Sequence, residues 1–493
     1  MRTLSTTPRR SCVRADTCDH PRVRALALVA LVACGHAAHP HASTHASPFV
    51  GPFPALRWVP PHATYVVAAH KTSDAVAAMR ELALVIGVAA DFDITEAQDD
   101  LRKELGVDFL SIDGLREVGV DPDGGIAIFS EGLSPTLAIQ LADPQRTAGF
   151  IEEHRTGSVA VEVQREAGVD IYTFAGDREV HLHWAIADGW LFVHLEFTME
   201  REPELAWYKD ARAAGGAWDP GSIDPHTPVL AVADIGQLRT HLARAGAPRA
   251  CLDVFAPVHR ASMTAGIDGK EASASFTFEL DADPAASALA PPPGWAKARQ
   301  GAAIAAEWNL DLDSVAKLSS ACELDLPSMP VRAGGVFVDT LDLDKLEGTG
   351  AAWAAARDTR MFDELLDQIP GLSLGSHKRT VGGVTVVDVS MPMIPSFSYV
   401  KSATLIMIAS GGGLIDALLT GAPPKTTTLA HVELHPWALP DDVWDALLRY
   451  GLHVDSDTNR KQWIRRIHRW DSGSIDLEAK PGALVLTARG HVH

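Results

Sequence analysis

Cysteine is scarce in this chain, and long apolar runs are missing from it. Five cysteines occur in 493 residues, so the fold cannot depend on a disulfide framework, and a chain of this length can bury its cores without one. The apolar stretch at residues 25–33 is much shorter than the ~20 residues that a membrane-spanning helix needs. We therefore predict that the mature chain is not an integral membrane protein with helical spans.

Motifs that carry catalysis are also missing. The sequence contains no phosphate-binding loop, no dinucleotide fingerprint and no paired cysteines of the zinc-finger type. The stretch GLSLG at residues 371–375 matches a serine-hydrolase pattern around Ser373. A nucleophile elbow needs a strand before that serine and a helix after it, whereas the flanking patterns are reversed here. The sequence therefore predicts a protein that is not an enzyme.

Positive charge is the third thing in short supply. Lysine and arginine number 43 against 63 acidic residues, for a formal net charge of −20. Six of the arginines lie before residue 34, so the remainder is more acidic still. Such a chain repels polyanions, which excludes nucleic acid and anionic lipid headgroups as partners.

The arginines at the N-terminus belong to a secretion signal. They precede the apolar run ALALVALVA, which is followed by LVAC at residues 31–34. A short apolar core after basic residues is typical of a signal peptide, and a small residue before cysteine resembles a bacterial lipobox. We therefore predict that residues 1–33 are a signal peptide and that Cys34 is lipidated. An uncleaved anchor and an ordinary signal peptide are the alternatives.

Residues 34–55 are rich in alanine, histidine and proline, which predicts a flexible tether. His36, His39, His41 and His45 are possible metal ligands. We interpret them as solvated, because no rigid element is expected to hold their rings together.

The rest of the chain repeats one pattern. A strand running into an amphipathic helix, a second strand and helix, a glycine-led strand, a paired-strand region and closing alternating strands occur in the same order at residues 56–282 and at 302–493. Residues 283–301, with three consecutive prolines, are the predicted linker. We predict an α+β fold of two similar lobes, each a mostly antiparallel sheet with helices packed on one face. One irregular α+β domain is the alternative.

Two cysteines remain after the first 34 residues, Cys251 in the first half and Cys322 in the second. They can form a disulfide in an oxidising compartment if the fold brings their Cα atoms within ~7 Å.

The stretch HLHWAIADGWLFVHLE at residues 181–196 is the candidate site. Asp188-Gly189 predicts a two-residue hairpin turn, which would place His183 opposite His194 and His181 opposite Glu196 on one face. The other face, with Leu182 and its alternating apolar neighbours, is the expected core face. We therefore consider His181, His183 and His194 as ligands of a divalent metal, most readily zinc. Glu196 is either the fourth ligand or a residue that orients one of the histidines. An ordinary solvated strand pair is the alternative interpretation.

The lipobox, the tether and the recurring strand–helix–hairpin pattern resemble uncharacterised bacterial periplasmic or surface lipoproteins of the domain-of-unknown-function type. The resemblance implies a lipid-anchored protein of the cell envelope and implies no activity. We therefore predict a binding or scaffold module attached to the membrane through its lipid, with an unknown protein or small-molecule ligand. A zinc-binding protein is the alternative.

Overall fold

The computed structural model describes residues 48–492 apart from several gaps. The longer gaps are 80–98, 155–160, 176–179, 198–204, 282–290, 312–315, 323–330 and 421–427, and the shorter ones are 100–101, 104–105, 269, 318–319, 343–344, 346, 357–358, 369–371, 373–374, 392–393, 452–453 and 455. The predicted signal peptide, Cys34, the tether histidines and Ser373 lie outside the described residues.

In the part of the chain that the structure describes, twenty strands form one sheet, and their pairings are antiparallel. The first ten are β1 Tyr65–Ala69, β2 Ile126–Ser130, β3 Thr136–Gln140, β4 Val161–Glu166, β5 Val169–Ala175, β6 Val180–Ala187, β7 Trp190–Phe197, β8 Val229–Asp234, β9 Val258–Asp268 and β10 Glu271–Leu280. The second ten are β11 Ile304–Trp308, β12 Val331–Asp342, β13 Glu347–Ala356, β14 Ser376–Val381, β15 Val384–Met391, β16 Ile394–Lys401, β17 Leu405–Ser410, β18 Thr428–Leu434, β19 Trp470–Lys480 and β20 Ala483–Val492.

The two halves have the same strand order. From its outer strand inward, the first half runs β4-β5-β6-β7-β3-β2-β1-β8-β9-β10, and the second runs β14-β15-β16-β17-β13-β12-β11-β18-β19-β20. The closing strands β10 and β20 then pair with each other, with Ser275 opposite Thr487. The repeated pattern is therefore visible in the topology, but the expectation of two separate lobes is not confirmed, because this pairing joins both halves into one sheet.

Helices fill equivalent connections in the two halves. Their bounds are α1 Ile112–Glu117, α2 Pro144–His154, α3 Ala206–Ala213, α4 Ile235–Arg244, α5 Arg249–Val254, α6 Trp295–Ala298, α7 Arg360–Asp367, α8 Leu414–Leu419, α9 Asp441–Ala446 and α10 Asp457–Ile467. Short 3-10 turns occur at Pro48–Val50, Pro54–Trp58 and Pro436–Ala438, and a π-helical turn at Leu447–Gly451. Among the described residues, no helix is long and apolar enough to cross a membrane.

Side-chain caps fix where four of the described helices begin. The capping residues of α1, α2, α4 and α10 each accept a hydrogen bond from the backbone N–H three residues later, and they are Ser111, Asp143, Asp234 and Ser456. Such a cap satisfies one of the backbone donors that a helix leaves unpaired at its start.

Both faces of the sheet are covered in the first half, contrary to the expectation that helices pack on one face. On one face, Phe192 lies in a core with Phe53, Trp58 and Trp207. On the other, Leu191 packs against a second core that includes Leu115 of α1. A strand covered on both sides carries apolar residues at every position, which explains the nearly continuous apolar hairpin.

Two segments assigned to connections are part of the fold. Within the predicted tether, Phe49 and Phe53 are buried. Within the predicted linker, Trp295 of α6 is fully buried in the core of the second half. Both segments precede the first strand of their half, and each places aromatic side chains on the sheet. Because both segments are rich in proline, the sequence predicted connections where the structure has short segments that pack on the sheet.

A disulfide joins Cys251 of α5 to Cys322, with their Cα atoms 4.5 Å apart. It connects the two halves of the chain covalently, in addition to the β10–β20 pairing.

Candidate metal site

The hairpin of β6 and β7 has the predicted register. His183 lies opposite His194, and His181 lies opposite Glu196. The turn residues Asp188 and Gly189 have φ of 51° and 78°, as a type I′ turn requires at both central positions. The Asp188-Gly189 signal therefore fixed the pairing of all four side chains.

The face on which these side chains lie is not the solvated one. His183 and His194 are buried, as are Ala185 and Phe192 on the same face. The 3-10 turn Pro54–Trp58 and helix α3 cover this face. The other face does pack against a core, through Ile186 and Leu191, but the histidine face is the more deeply buried of the two. Alternation within one hairpin cannot tell which of two apolar faces receives the better cover.

Three of the four predicted ligands converge. One ligand atom each from His181, His183 and Glu196 lies within 4.8 Å of the others. Glu196 Oε2 is 3.0 Å from Nε2 of His183 and 3.4 Å from Nδ1 of His181. Ligand atoms on a tetrahedral zinc with bonds of ~2.1 Å are ~3.4 Å apart, so small movements would bring these donors onto one ion.

Thr173 of β5 orients the ring of His183. Its Oγ1 lies 2.9 Å from Nδ1 of His183, while Nε2 faces Glu196. When Nε2–H donates to Glu196, the threonine O–H donates to Nδ1. When Nε2 coordinates a metal, Nδ1–H donates to the threonine oxygen. The Thr173 hydroxyl therefore forms a hydrogen bond with Nδ1 of His183 whether or not a metal is bound. The sequence pattern did not indicate this contact.

The protonation state of His183 also favours coordination. Burial lowers the pKa of His183 below the usual histidine value, and this outweighs the hydrogen bond to Glu196, which acts in the opposite direction. The ring is therefore neutral at pH 7, which is the form that binds a metal.

His194 lies outside the converging group. Its Nδ1 is 2.9 Å from Oγ1 of Thr136, and its ring stacks on Trp207 with an angle of 4° between the planes. The ring centroids of His183 and His194 are 5.7 Å apart. His194 thus supports the site through packing, which corrects its assignment as a ligand.

The equivalent place in the second half has different chemistry. The pairings of the sheet show which residues of the two halves are equivalent. Starting from the Ser275–Thr487 pair and moving outward across each half, one paired residue at a time, Ser398 of β16 has the position that His183 has in β6. There Asp388 accepts hydrogen bonds from Ser398 at 2.5 Å and from Nε of Arg379 at 2.6 Å. A partly exposed ion pair occupies this position, so the repeat does not require histidines.

A second polar cluster lies in the second half and was not anticipated. Nδ1 of His431 is 2.7 Å from Asp476, and Arg299 donates to Nε2 of the same ring at 2.9 Å. Arg299 also lies 3.3 Å from Glu433. The Arg299 guanidinium occupies the position next to Nε2 of His431 that a metal ion would take. We therefore interpret this cluster as an ion-pair network rather than a metal site.

Comparison with known proteins adds no family. No family model matches the chain, and no curated protein matches it significantly. One crystal form of TP0453 matches with 12% identity and a TM-score of 0.26, over 45% of this chain and 80% of that chain. Another form matches with 12% identity and a TM-score of 0.28, over 54% and 90%. Similarity at this level carries no argument about function.

Proposed function

We propose that this protein is a lipid-anchored protein of the bacterial cell envelope that binds one divalent transition metal ion, preferably zinc. His181, His183 and Glu196 are its ligands. The convergence of their donor atoms within 4.8 Å supports this most directly.

The donor set favours zinc over harder ions. Two imidazole nitrogens and one carboxylate oxygen suit zinc and its first-row neighbours, whereas magnesium and calcium prefer oxygen alone. The ligands lie on two paired strands and not on a loop. Their backbones are therefore held in place before the metal arrives, which lowers the entropic cost of binding.

The envelope location is supported by the sequence: a basic and short apolar leader, the lipobox at Cys34 and a strongly acidic remainder. A role in binding rather than catalysis is supported by the lack of a catalytic motif in a suitable context. If the chain binds no metal, the alternative proposal is a lipid-anchored scaffold protein.

Elemental analysis tests the metal. A tag-free chain that begins at Pro48, and so lacks the tether histidines, is purified after growth with added zinc. We expect about one zinc per chain in this protein and none in His181→Ala or His183→Ala. His259→Ala is the matched control, because His259 is a half-exposed histidine paired with Asp281 elsewhere in the fold, and it should retain the zinc. Metal-free wild-type protein would refute the proposal.

A further inference from the structure

We infer that the ion held by His181, His183 and Glu196 keeps an exchangeable fourth ligand, and that the site thereby binds small anionic donors such as carboxylates or phosphates. This inference rests on the proposed metal site and adds the class of ligand that the metal receives. Two histidines and one glutamate with an open fourth position are a donor set that zinc accepts.

The three donors approach the ion from one side. His181 and Glu196 are directly opposed across β6 and β7, and His183 is two residues from His181 on the same strand. Side chains two apart on a strand, or opposed on paired strands, project from the same face of a sheet. The strands therefore supply donors from one side only. Trp207 of α3 packs near His183, so another ligand has to approach past the partly exposed side chains of His181 and Glu196.

Two polar neighbours of the donors among the described residues, His194 and Thr173, have other contacts. The ring of His194 is stacked on Trp207 and faces Thr136 through Nδ1. The hydroxyl of Thr173 faces the far nitrogen of the His183 ring. Among the residues that the structure describes, the group of converging donors contains three members.

Solvent reaches His181 and Glu196 but hardly reaches His183. The side chain of His181 is 35% exposed and that of Glu196 is 25% exposed, whereas that of His183 is 10% exposed. A small ligand can thus approach past His181 while His183 stays in the packed interior.

Charge selects the kind of ligand. A zinc ion with two neutral imidazoles and one carboxylate retains a charge of about +1. An anionic fourth donor would neutralise it. The acidic surface of the chain, with its net charge of −20, repels anions at long range, so a bound anion is retained only by direct coordination to the metal.

Cobalt(II) substitution tests the inference, because its visible absorption depends on coordination number and ligand identity. The full chain with His36, His39, His41 and His45 replaced by serine is loaded with cobalt(II) and titrated with sodium azide. We expect a one-to-one cobalt spectrum that changes saturably with azide. The same titration with phosphate should give a competing, saturable change. His181→Ala is the matched variant, and its circular dichroism is recorded to verify folding.

The outcomes separate the two claims. If cobalt binds one-to-one in the wild-type site and azide leaves the spectrum unchanged at every concentration, the fourth position is closed and this inference is overturned, while the metal site stands. If cobalt fails to bind, or binds equally well to folded His181→Ala, the proposed metal site fails and this inference fails with it.

Discussion

The carboxylate of Glu196 lies closer to the diagonal His183 than to His181, the residue directly opposite it. The distances from Oε2 are 3.0 Å and 3.4 Å. Glu196 thus links a buried ring to a half-exposed one.

The contact between Thr173 and His183 predicts a graded effect on zinc affinity. Thr173→Ala should weaken binding about 10-fold or more, because loss of a partner that orients a metal-bound histidine typically has this effect. Thr173→Ser retains the hydroxyl and should bind nearly as well as wild type. Competition with a chromophoric chelator measures both. Equal affinities for the alanine and serine variants would show that the hydroxyl does not position the ring.

The proposed lipidation of Cys34 predicts where the protein is found. Cys34→Ser should leave the unprocessed precursor or release the chain to the soluble fraction, because the variant lacks the thiol to which the lipid would be attached. Cys18→Ser, within the predicted signal peptide, should remain in the membrane fraction. Fractionation followed by immunoblotting distinguishes the two. A processed Cys34→Ser protein that still fractionates with membranes would contradict the prediction.

The disulfide between Cys251 and Cys322 closes a loop with a sequence separation of 71 residues. A crosslink over such a loop stabilises a fold by up to about 4 kcal/mol through the entropy of the unfolded chain. The double variant Cys251→Ala/Cys322→Ala should melt at a lower temperature than wild type. Reductant should lower the wild-type melting temperature toward that of the variant and leave the variant unchanged. If reductant lowers the melting temperatures of wild type and the double variant equally, the stabilisation does not come from this disulfide.

The ion pair of Arg379 and Asp388 predicts a response to acid. Hydrogen bonds from Arg379 lower the pKa of Asp388. Because the folded pKa lies below the unfolded value of about 3.9, the pair stabilises the fold above that pH, and the stabilisation is lost as the pH falls through the folded pKa.

Arg379→Gln should therefore lose less thermal stability than wild type between pH 7 and pH 3. The matched control is Arg165→Gln, which disrupts an exposed pair with Asp170 and should keep the wild-type pH dependence. If the melting temperatures of wild type and Arg379→Gln fall by the same amount between pH 7 and pH 3, the prediction is wrong.

Burial of Trp295 predicts a large loss of stability on truncation. Its side chain is fully buried, and its indole N–H donates to Glu307 at 2.9 Å. Trp295→Ala should cost roughly 3–5 kcal/mol in the free energy of unfolding. Trp437→Ala is the control, because Trp437 is 57% exposed and its removal should cost far less. Denaturant titration measures both, and similar losses would place residues 291–301 outside the core.

The sequence by itself determined the elements that depend on local chemistry. Period-two alternation gave the strands, and the need for positive φ at Asp188 and Gly189 gave the hairpin register on which His181, His183 and Glu196 come together. The repeated order of elements also appeared in the sequence, because most equivalent strands of the two halves have similar lengths and apolar patterns, although β2 and β3 are shorter than β12 and β13.

Tertiary structure alone decided the rest. The pairing of Ser275 with Thr487 joins the halves into one sheet, and such a contact between distant strands leaves no local signal. The sequence also could not show that Trp207 and residues 54–58 cover the histidine face, since burial depends on what packs from elsewhere in the chain. That cover buries His183 and stacks His194 on Trp207. His194, which was predicted as a ligand, lies outside the three converging donors.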